Sequence, residues 1–347
     1  MSRLKTYLTI ILLGIVGGGA LPALLYGLDN RSVLHGMAVG VAISLTLTAM
    51  EGAFKDRLRR QPFLRSLFIR TSAQITVVCF YVIGFLIGIR IIRDGLSPFD
   101  SLKTPEVRHF LFGGDLLFII IYALTAIFLI NMIRQMSRML GQNVLMNMVL
   151  GKYTRPIEEQ RIFMFLDLDA STTLAERLGN IRFHELIDDY IYDITPAIIE
   201  TGGEIYQYVG DEIVVTWHST PRHVGDQCIE CFFTIAHTMD KLAPDYKKKY
   251  GIVPGFKAGF HYGTVIAGQI GDIKKEIVYQ GDVVNTASRI KEKCHSLGAK
   301  MLASRELLER IQLNEQRFRS ERVGSFLLKG KEHEVELYGI SEVAAQS

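Results

Sequence analysis

The rhythm of apolar and polar positions changes once along the chain, near residue 135. Before that point apolar residues run together in long blocks; after it, short apolar runs alternate with helical and turn patterns. Four blocks, roughly 7–28, 35–53, 67–92 and 110–133, reach the length of about 20 residues that a bilayer crossing needs. The first, "TYLTIILLGIVGGGALPALLYGL", is long for a cleaved leader and three more blocks follow, so a retained helix is expected. The second is short and carries Glu51 near its end. The third carries Arg70 and Arg90 at its ends, where long basic side chains can reach the interface.

The loops between the blocks differ in charge. The second, "KDRLRRQPFLR", holds Lys55, Arg57, Arg59, Arg60 and Arg65. Arg3 and Lys5 precede the first block, and Arg134 and Arg138 follow the fourth. The first loop has Arg31 alone, and the third sets Lys103 and Arg108 against Asp94, Asp100 and Glu106. An excess of Lys and Arg marks the cytoplasmic side, so the N-terminus, the second loop and the C-terminal half are expected in the cytoplasm. That assignment fits a four-span, multi-pass protein of the inner (plasma) membrane with the lipid bilayer as a partner. No charge pair is legible inside the blocks, which leaves a transporter little support. The histidines available as haem ligands, His35 and His109, sit at block ends, so an anchor or a ligand sensor fits better.

Residues 133–152, "IRQMSRMLGQNVLMNMVLGK", continue from the fourth block with apolar positions at helical spacing: Met136, Met139, Leu140, Val144, Leu145, Met148 and Leu150. A helix with one apolar stripe below a membrane pairs with a second chain or packs on the domain that follows. Pro156 disfavours helix at Arg155 and ends it. The expected organisation is a transmembrane domain over 1–133, a helical linker over 134–155 and a globular domain over 156–343.

Composition adds three constraints. Thirty-nine basic and 36 acidic residues leave a net charge of +3, which makes no case for a nucleic-acid partner. The mean hydropathy of +0.20 is high for a chain with 22% charged residues, in keeping with apolar residues gathered in one half. Of the four cysteines, Cys228 and Cys231 form a C-x-x-C, but no second pair completes a tetrahedral metal site and the motif lies in a helical pattern. Nothing suggests a disulfide framework, which fits a reducing compartment.

From Arg161 onward strands and helices alternate. "RIFMFLDLD" reads as a buried strand, followed by helices "STTLAERLG", with Ser171 as N-cap, and "FHELIDDYIYDITPAIIETG". "EIYQYV" and "EIVVTW" read as a hairpin across Gly210-Asp211, with Val209 and Ile213–Val215 in the core. A long helix over about 224–249, strands "GFKAGFHYG" and "TVIAGQIG", the helix "DVVNTASRIKEKCHSLG" and strands "FLLKG" and "EVELYGI" complete the pattern. The β-α-β-β-α-β order predicts a ferredoxin-like α+β sheet with additions. In that topology the first strand and the hairpin are neighbours, so Asp167 and Asp169 at the strand end can converge with Asp211 at the hairpin tip. Two carboxylates on rigid strand ends suit one or two Mg²⁺ ions bridging substrate phosphates. Asp167 alone reads equally well as a strand-end cap, and Glu212 reads as solvated.

The ordered set "FMFLDLDAST", "GGEIYQYVGDEIVVTW", "GDVVNTASRI" and "LKG" resembles the catalytic domain of class III adenylate and guanylate cyclases, over roughly 160–340. The four-span front resembles membrane-anchored bacterial members. The resemblance implies that Asp167 and Asp211 are metal carboxylates, with the backbone of Leu168 also facing a metal, and that two Mg²⁺ or Mn²⁺ ions serve each site. It implies that Asn285 orients the ribose, Arg289 stabilises charge on the α-phosphate and Lys329 holds terminal phosphates. Gln207 and Val278 take the places that contact the base, where many adenylate cyclases carry Lys and Asp or Thr; Gln can donate and accept, whereas Val can do neither. The implied substrate is ATP, cyclised to cyclic AMP and pyrophosphate in a homodimer whose two sites are shared. Guanylate cyclase activity, or a weakly catalytic nucleotide-sensing domain, is the alternative. A diguanylate cyclase is disfavoured because no G-G-[DE]-E-F occurs.

Overall fold

The computed structural model describes residues 11–12, 14–20, 30–141, 144–219 and 225–343. Two compact units divide at Leu140 and Gly141.

In the first unit, Val33–Phe54, Phe63–Ile92 and Asp115–Leu140 are helical, long and apolar enough to cross a membrane. The expected first span, 7–28, lies largely outside the described residues; of it, 14–20 are helical. This piece packs closely on the helix Asn30–Arg57 through glycine: a Cβ on Gly18 would fall 2.9 Å from the Cα of Gly40. Small residues at such a crossing let backbones approach, which drives helix association in lipid where the hydrophobic effect cannot. The last long helix starts at Asp115, after a short helix Pro105–Phe112 that ends at Gly113, rather than at 110.

Two expectations for this unit are corrected. Arg70 does not reach outward: it is 4% exposed and paired with Glu51, which also holds Arg138 at 3.1 Å. A charge pair therefore does lie within the apolar helices. The joining loop makes the two helices antiparallel neighbours, and Glu51 and Arg70 stand at similar depth from it. Deeper in, Asn131 donates to Thr71 (3.1 Å) and Gln74 (2.7 Å), so these three buried side chains satisfy one another.

The helix Asp115–Leu140 ends there, and Gly141 adopts φ +100°. Val144–Val149 forms a separate short helix. The unbroken helix expected over 133–152 is thus interrupted at the glycine, which takes a left-handed conformation that a side chain would resist.

The second unit is built on one sheet. Its strands are β1 (Ile157–Leu168), β2 (Glu204–Val209), β3 (Glu212–His218), β4 (Phe256–Ile270), β5 (Glu276–Gln280), β6 (Met301–Ser304), β7 (Phe318–Phe326) and β8 (Val335–Glu342). The order is β2-β3-β1-β4-β6-β8-β7, with β5 paired to the far half of β4. The first four strands are antiparallel in the ferredoxin-like arrangement, and β5 to β8 are the additions.

The two-residue period of β1 sorts its side chains between two cores. Ile162, Met164, Leu166 and Leu168 pack with the helices Asn180–Glu200 and Gln227–Tyr250. Phe163 and Phe165 pack on the opposite face with Val214, Val283 and Ala287, the last two from the helix Asp282–Leu297. Asp167 continues this second row, as Glu212 does on β3.

Several elements differ from the pattern reading. β4 is one continuous strand, not two, and β5, β6 and the helix Arg305–Arg310 were not anticipated. β7 ends at Phe326, so "LKG" is a turn in which Gly330 adopts φ +74°. Ser171 opens its helix, but the capping place is taken by Ala170 at φ +53°. Val209 is 51% exposed, whereas Ile213, Val214 and Val215 are buried as expected.

Candidate functional site

β1 lies between β3 and β4, with Leu166 opposite Ile213 and Asp167 opposite Lys257. This register brings the end of β1 against the hairpin tip, where Gly210, at φ +65°, makes the turn into Asp211. Asp167 is half-buried on the face that carries the helix Asp282–Leu297. That helix sits close to the sheet because Gly259 leaves room: a Cβ there would fall 2.7 Å from the Ala287 carbonyl oxygen and from the Lys291 Cα.

The close approach sets Lys291 over the acids. Its Nζ lies 2.7 Å from Glu212 Oε2 and 3.3 Å from Asp167 Oδ2. Lys257 Nζ lies 3.8 Å from Asp167 and 3.8 Å from Asp169. Glu212 is therefore a member of the cluster, not a solvated acid; the alternation along β3 puts it on Val214's face, under the helix. Burial pushes the Asp167 carboxyl above its ordinary pKa, Lys291 opposes that, and the nearby Asp211 charge adds to the rise. Burial likewise raises Glu212, against the pull of Lys291. For Lys291, burial disfavours the charged form, but Glu212 and Asp167 together outweigh it and hold the pKa above the ordinary lysine value.

Asp211 stands apart from these pairings. Its Oδ2 is buried with no hydrogen-bond partner among the described residues, a costly arrangement for a carboxylate oxygen. A divalent cation would satisfy it. Among the described residues no three His, Cys, Asp or Glu side chains are grouped to hold an ion unaided. The donors present are Asp167, Asp211 and the backbone at Leu168, whose side chain is buried in the core beneath. Two carboxylates and a carbonyl, with the remaining places left to phosphate and water oxygens, match the way magnesium is held.

The other candidates lie on the helix Asp282–Leu297, on β2, on β5 and in the turn after β7. Asn285 and Arg289 are four residues apart on one face of the Asp282–Leu297 helix. Lys291, two residues beyond Arg289, is rotated by about 200°. So the face that meets Asp167 is not the face that bears Asn285 and Arg289. The Arg289 terminal nitrogens reach the "LKG" turn, each 3.5 Å from where a Cβ on Gly330 would stand. Leu328 is buried and Lys331 pairs with Asp282, which fixes this turn and leaves Lys329 exposed. Gln207 is exposed on β2 and Val278 half-buried on β5. Their neighbours Tyr206 and Tyr279 touch, with ring centroids 4.9 Å apart. One chain thus holds two separate groups: carboxylates with lysines, and Asn285, Arg289 and Lys329.

A family model for the adenylate and guanylate cyclase catalytic domain matches residues 155–342. The chain belongs to this family. "Adenylate cyclase 2" of Rhizobium meliloti (strain 1021) is 36% identical over 194 residues, 56% of this chain and 53% of that protein. "Adenylate cyclase" of Anabaena cylindrica is 25% identical over 182 residues, 51% of this chain and 36% of that protein. The chain therefore spans about half or less of these relatives' lengths. A bacterial light-regulated adenylyl cyclase structure shares the fold, with a TM-score of 0.54 at 21% identity over 61% of this chain and 62% of that one.

Within the cyclase domain, Lys257, Lys291 and Glu212 are the site residues that motif reading missed. The period of β3 was the one signal in the sequence; the register of Asp167 against Lys257 and the seating of Lys291 over the acids are set by tertiary contacts. The C-x-x-C is not part of any site: Cys228 and Cys231 are buried, and burial pushes both thiols up to about 12. Burial of this kind disfavours the thiolate that a nucleophile or metal ligand needs.

Proposed function

We propose that this chain is a membrane-anchored adenylate cyclase that converts ATP to cyclic AMP and pyrophosphate in sites shared between two copies. The observation that carries the reading is the convergence of Asp167 with Asp211, whose buried oxygen lacks a partner. Bound Mg²⁺ or Mn²⁺, two ions per site, would supply charge to the triphosphate and lower the pKa of the attacking hydroxyl. Asp167, Asp211 and the Leu168 carbonyl would hold those ions. Asn285 orients the ribose so that its 3′-oxygen lies in line with the α-phosphorus. As the 3′-hydroxyl gives its proton to solvent water, the new P–O bond forms and the bond to pyrophosphate breaks, Arg289 neutralises the oxygens gaining charge. Lys329 draws the leaving pyrophosphate away from the ring.

The shared site is supported by the two faces of the Asp282–Leu297 helix. Asn285 and Arg289 point away from their own chain's carboxylates, so a second copy related by two-fold symmetry would complete two equivalent sites. ATP is favoured because Gln207 can donate to and accept from an adenine edge and because the relative from Rhizobium meliloti is named an adenylate cyclase. On this reading the apolar helices are an inner-membrane anchor, and the excess of Lys and Arg in the second loop favours a cytoplasmic catalytic unit.

Purified full-length protein, supplied with ATP or GTP and Mn²⁺ or Mg²⁺, should form cyclic AMP with the higher kcat/KM. A higher kcat/KM for GTP would make it a guanylate cyclase. Nucleotide binding with no cyclic product would make it a sensor.

A further inference from the structure

Lys291 contacts one of the proposed metal carboxylates, yet the reaction assigns it no part. Its ammonium stands between two acids, nearer to Glu212 (2.7 Å) than to Asp167 (3.3 Å), and is largely buried. A divalent cation on Asp167 would stand a few ångströms from this ammonium, and two positive charges that close in a half-buried site repel strongly. The lysine cannot leave on its own helix, because Gly259 lets the backbone at Lys291 rest directly on β4. Its side chain can, however, give up the longer contact and keep the shorter one.

We infer that Lys291 competes with the divalent cation for Asp167, and that Glu212 is the acceptor that retains the ammonium when the cation is bound. The pair then sets the metal affinity of the site. Lys291 weakens it by occupying Asp167, and Glu212 restores part of it by drawing Lys291 aside. Lys257, directly opposite Asp167 on β4 and shared with Asp169, offsets part of the acid charge in both arrangements. This inference rests on the reading of Asp167 as a metal ligand, and the experiment separates the two.

The test is Mn²⁺ binding to the full-length protein in detergent, followed by the electron paramagnetic resonance signal of the free ion. Lys291→Met should bind Mn²⁺ about tenfold more tightly than wild type, the scale of losing one opposing charge at short range. Lys291→Arg, which keeps the cation, should stay near wild type. Glu212→Gln should weaken binding several-fold, because Lys291 is left with Asp167 alone. In the Lys291→Met background the same Glu212→Gln change should lose most of that effect. A Lys291→Met protein that binds no more tightly than wild type overturns the inference. So does a Glu212→Gln effect of equal size in both backgrounds, which would show the acid acting through its own field. Asp167→Asn decides the underlying reading: if it weakens Mn²⁺ binding while Lys291→Met fails to tighten it, Asp167 remains a ligand and the competition alone is wrong. If Asp167→Asn leaves binding unchanged, both fall.

Discussion

The two faces of the Asp282–Leu297 helix are opposites in charge balance. On one, Lys291 is locked to Glu212 and Asp167 within its own chain. On the other, Arg289 lies against the Gly330 turn with no charged partner among the described residues. Two lysines offset only part of the charge of Asp167, Asp169, Asp211 and Glu212; the Asn285–Arg289–Lys329 group presents uncompensated donors. On the proposed reading, the difference teaches that a single chain builds two halves of a site and does not join them, one half to hold cations and the other to hold an anion.

Changes to the carboxylate half should break the comparison most severely. Asp167→Asn or Asp211→Asn should lower kcat by about a thousandfold or more, since metal charge stabilisation is lost. Circular dichroism should show the fold retained, because neither side chain fills a core. Arg289→Ala, on the open half, should lower kcat by about a hundredfold to a thousandfold with a smaller change in KM, the signature of a group that acts on developing charge. A raised KM with kcat unchanged would assign it to ground-state binding.

Gly259→Ala should blur the two faces together by lifting the helix from β4. Overpacking of this kind costs about 1–3 kcal/mol, read as a lower thermal midpoint, and activity should fall because Lys291 and Arg289 both shift. An unchanged midpoint would mean that the helix does not depend on the close approach.

The smallest effect should touch stability and spare both halves. Burial pushes the His261 imidazole down to about 4; Glu306 and Asp282 oppose this and Lys331 adds to it. The unfolded chain takes up this proton near pH 6.5. Stability is thus fully present above that pH and is lost as pH falls toward 4, by at most on the order of 3 kcal/mol. His261→Gln should flatten this part of the pH–stability curve while leaving kcat at pH 7.5 largely intact. A curve as steep as wild type would exclude His261 as the source.

What could be read from the sequence follows from which forces are local. Alternation along "RIFMFLDLD" and the Gly-Asp turn gave β1, β2 and β3 and their adjacency, because period and turn chemistry act over a few residues. Asp167 and Asp211 stood at strand ends and could be singled out for that reason. Val209 was misjudged because burial on β2 depends on what covers the sheet edge. Glu212 and Lys291 were missed because their meeting depends on how closely a helix rests on β4, which one glycine decides. β5 and β6 are short strands whose pairing with β4 is set by tertiary contacts rather than by their own pattern. Arg70 and Glu51, distant in sequence, paired only once two helices ran antiparallel.

The central claim is that the two halves meet across two chains, and mixed dimers test it most directly. Asp167→Ala and Arg289→Ala, each inactive alone and carrying different tags, are coexpressed and assayed for cyclic AMP. A mixed dimer collects both lesions in one site and leaves the other whole; with random pairing, activity should return to roughly a quarter of wild type. If tandem pull-down shows that mixed dimers form while activity stays at the level of the single variants, the two halves do not meet across chains and the account is contradicted.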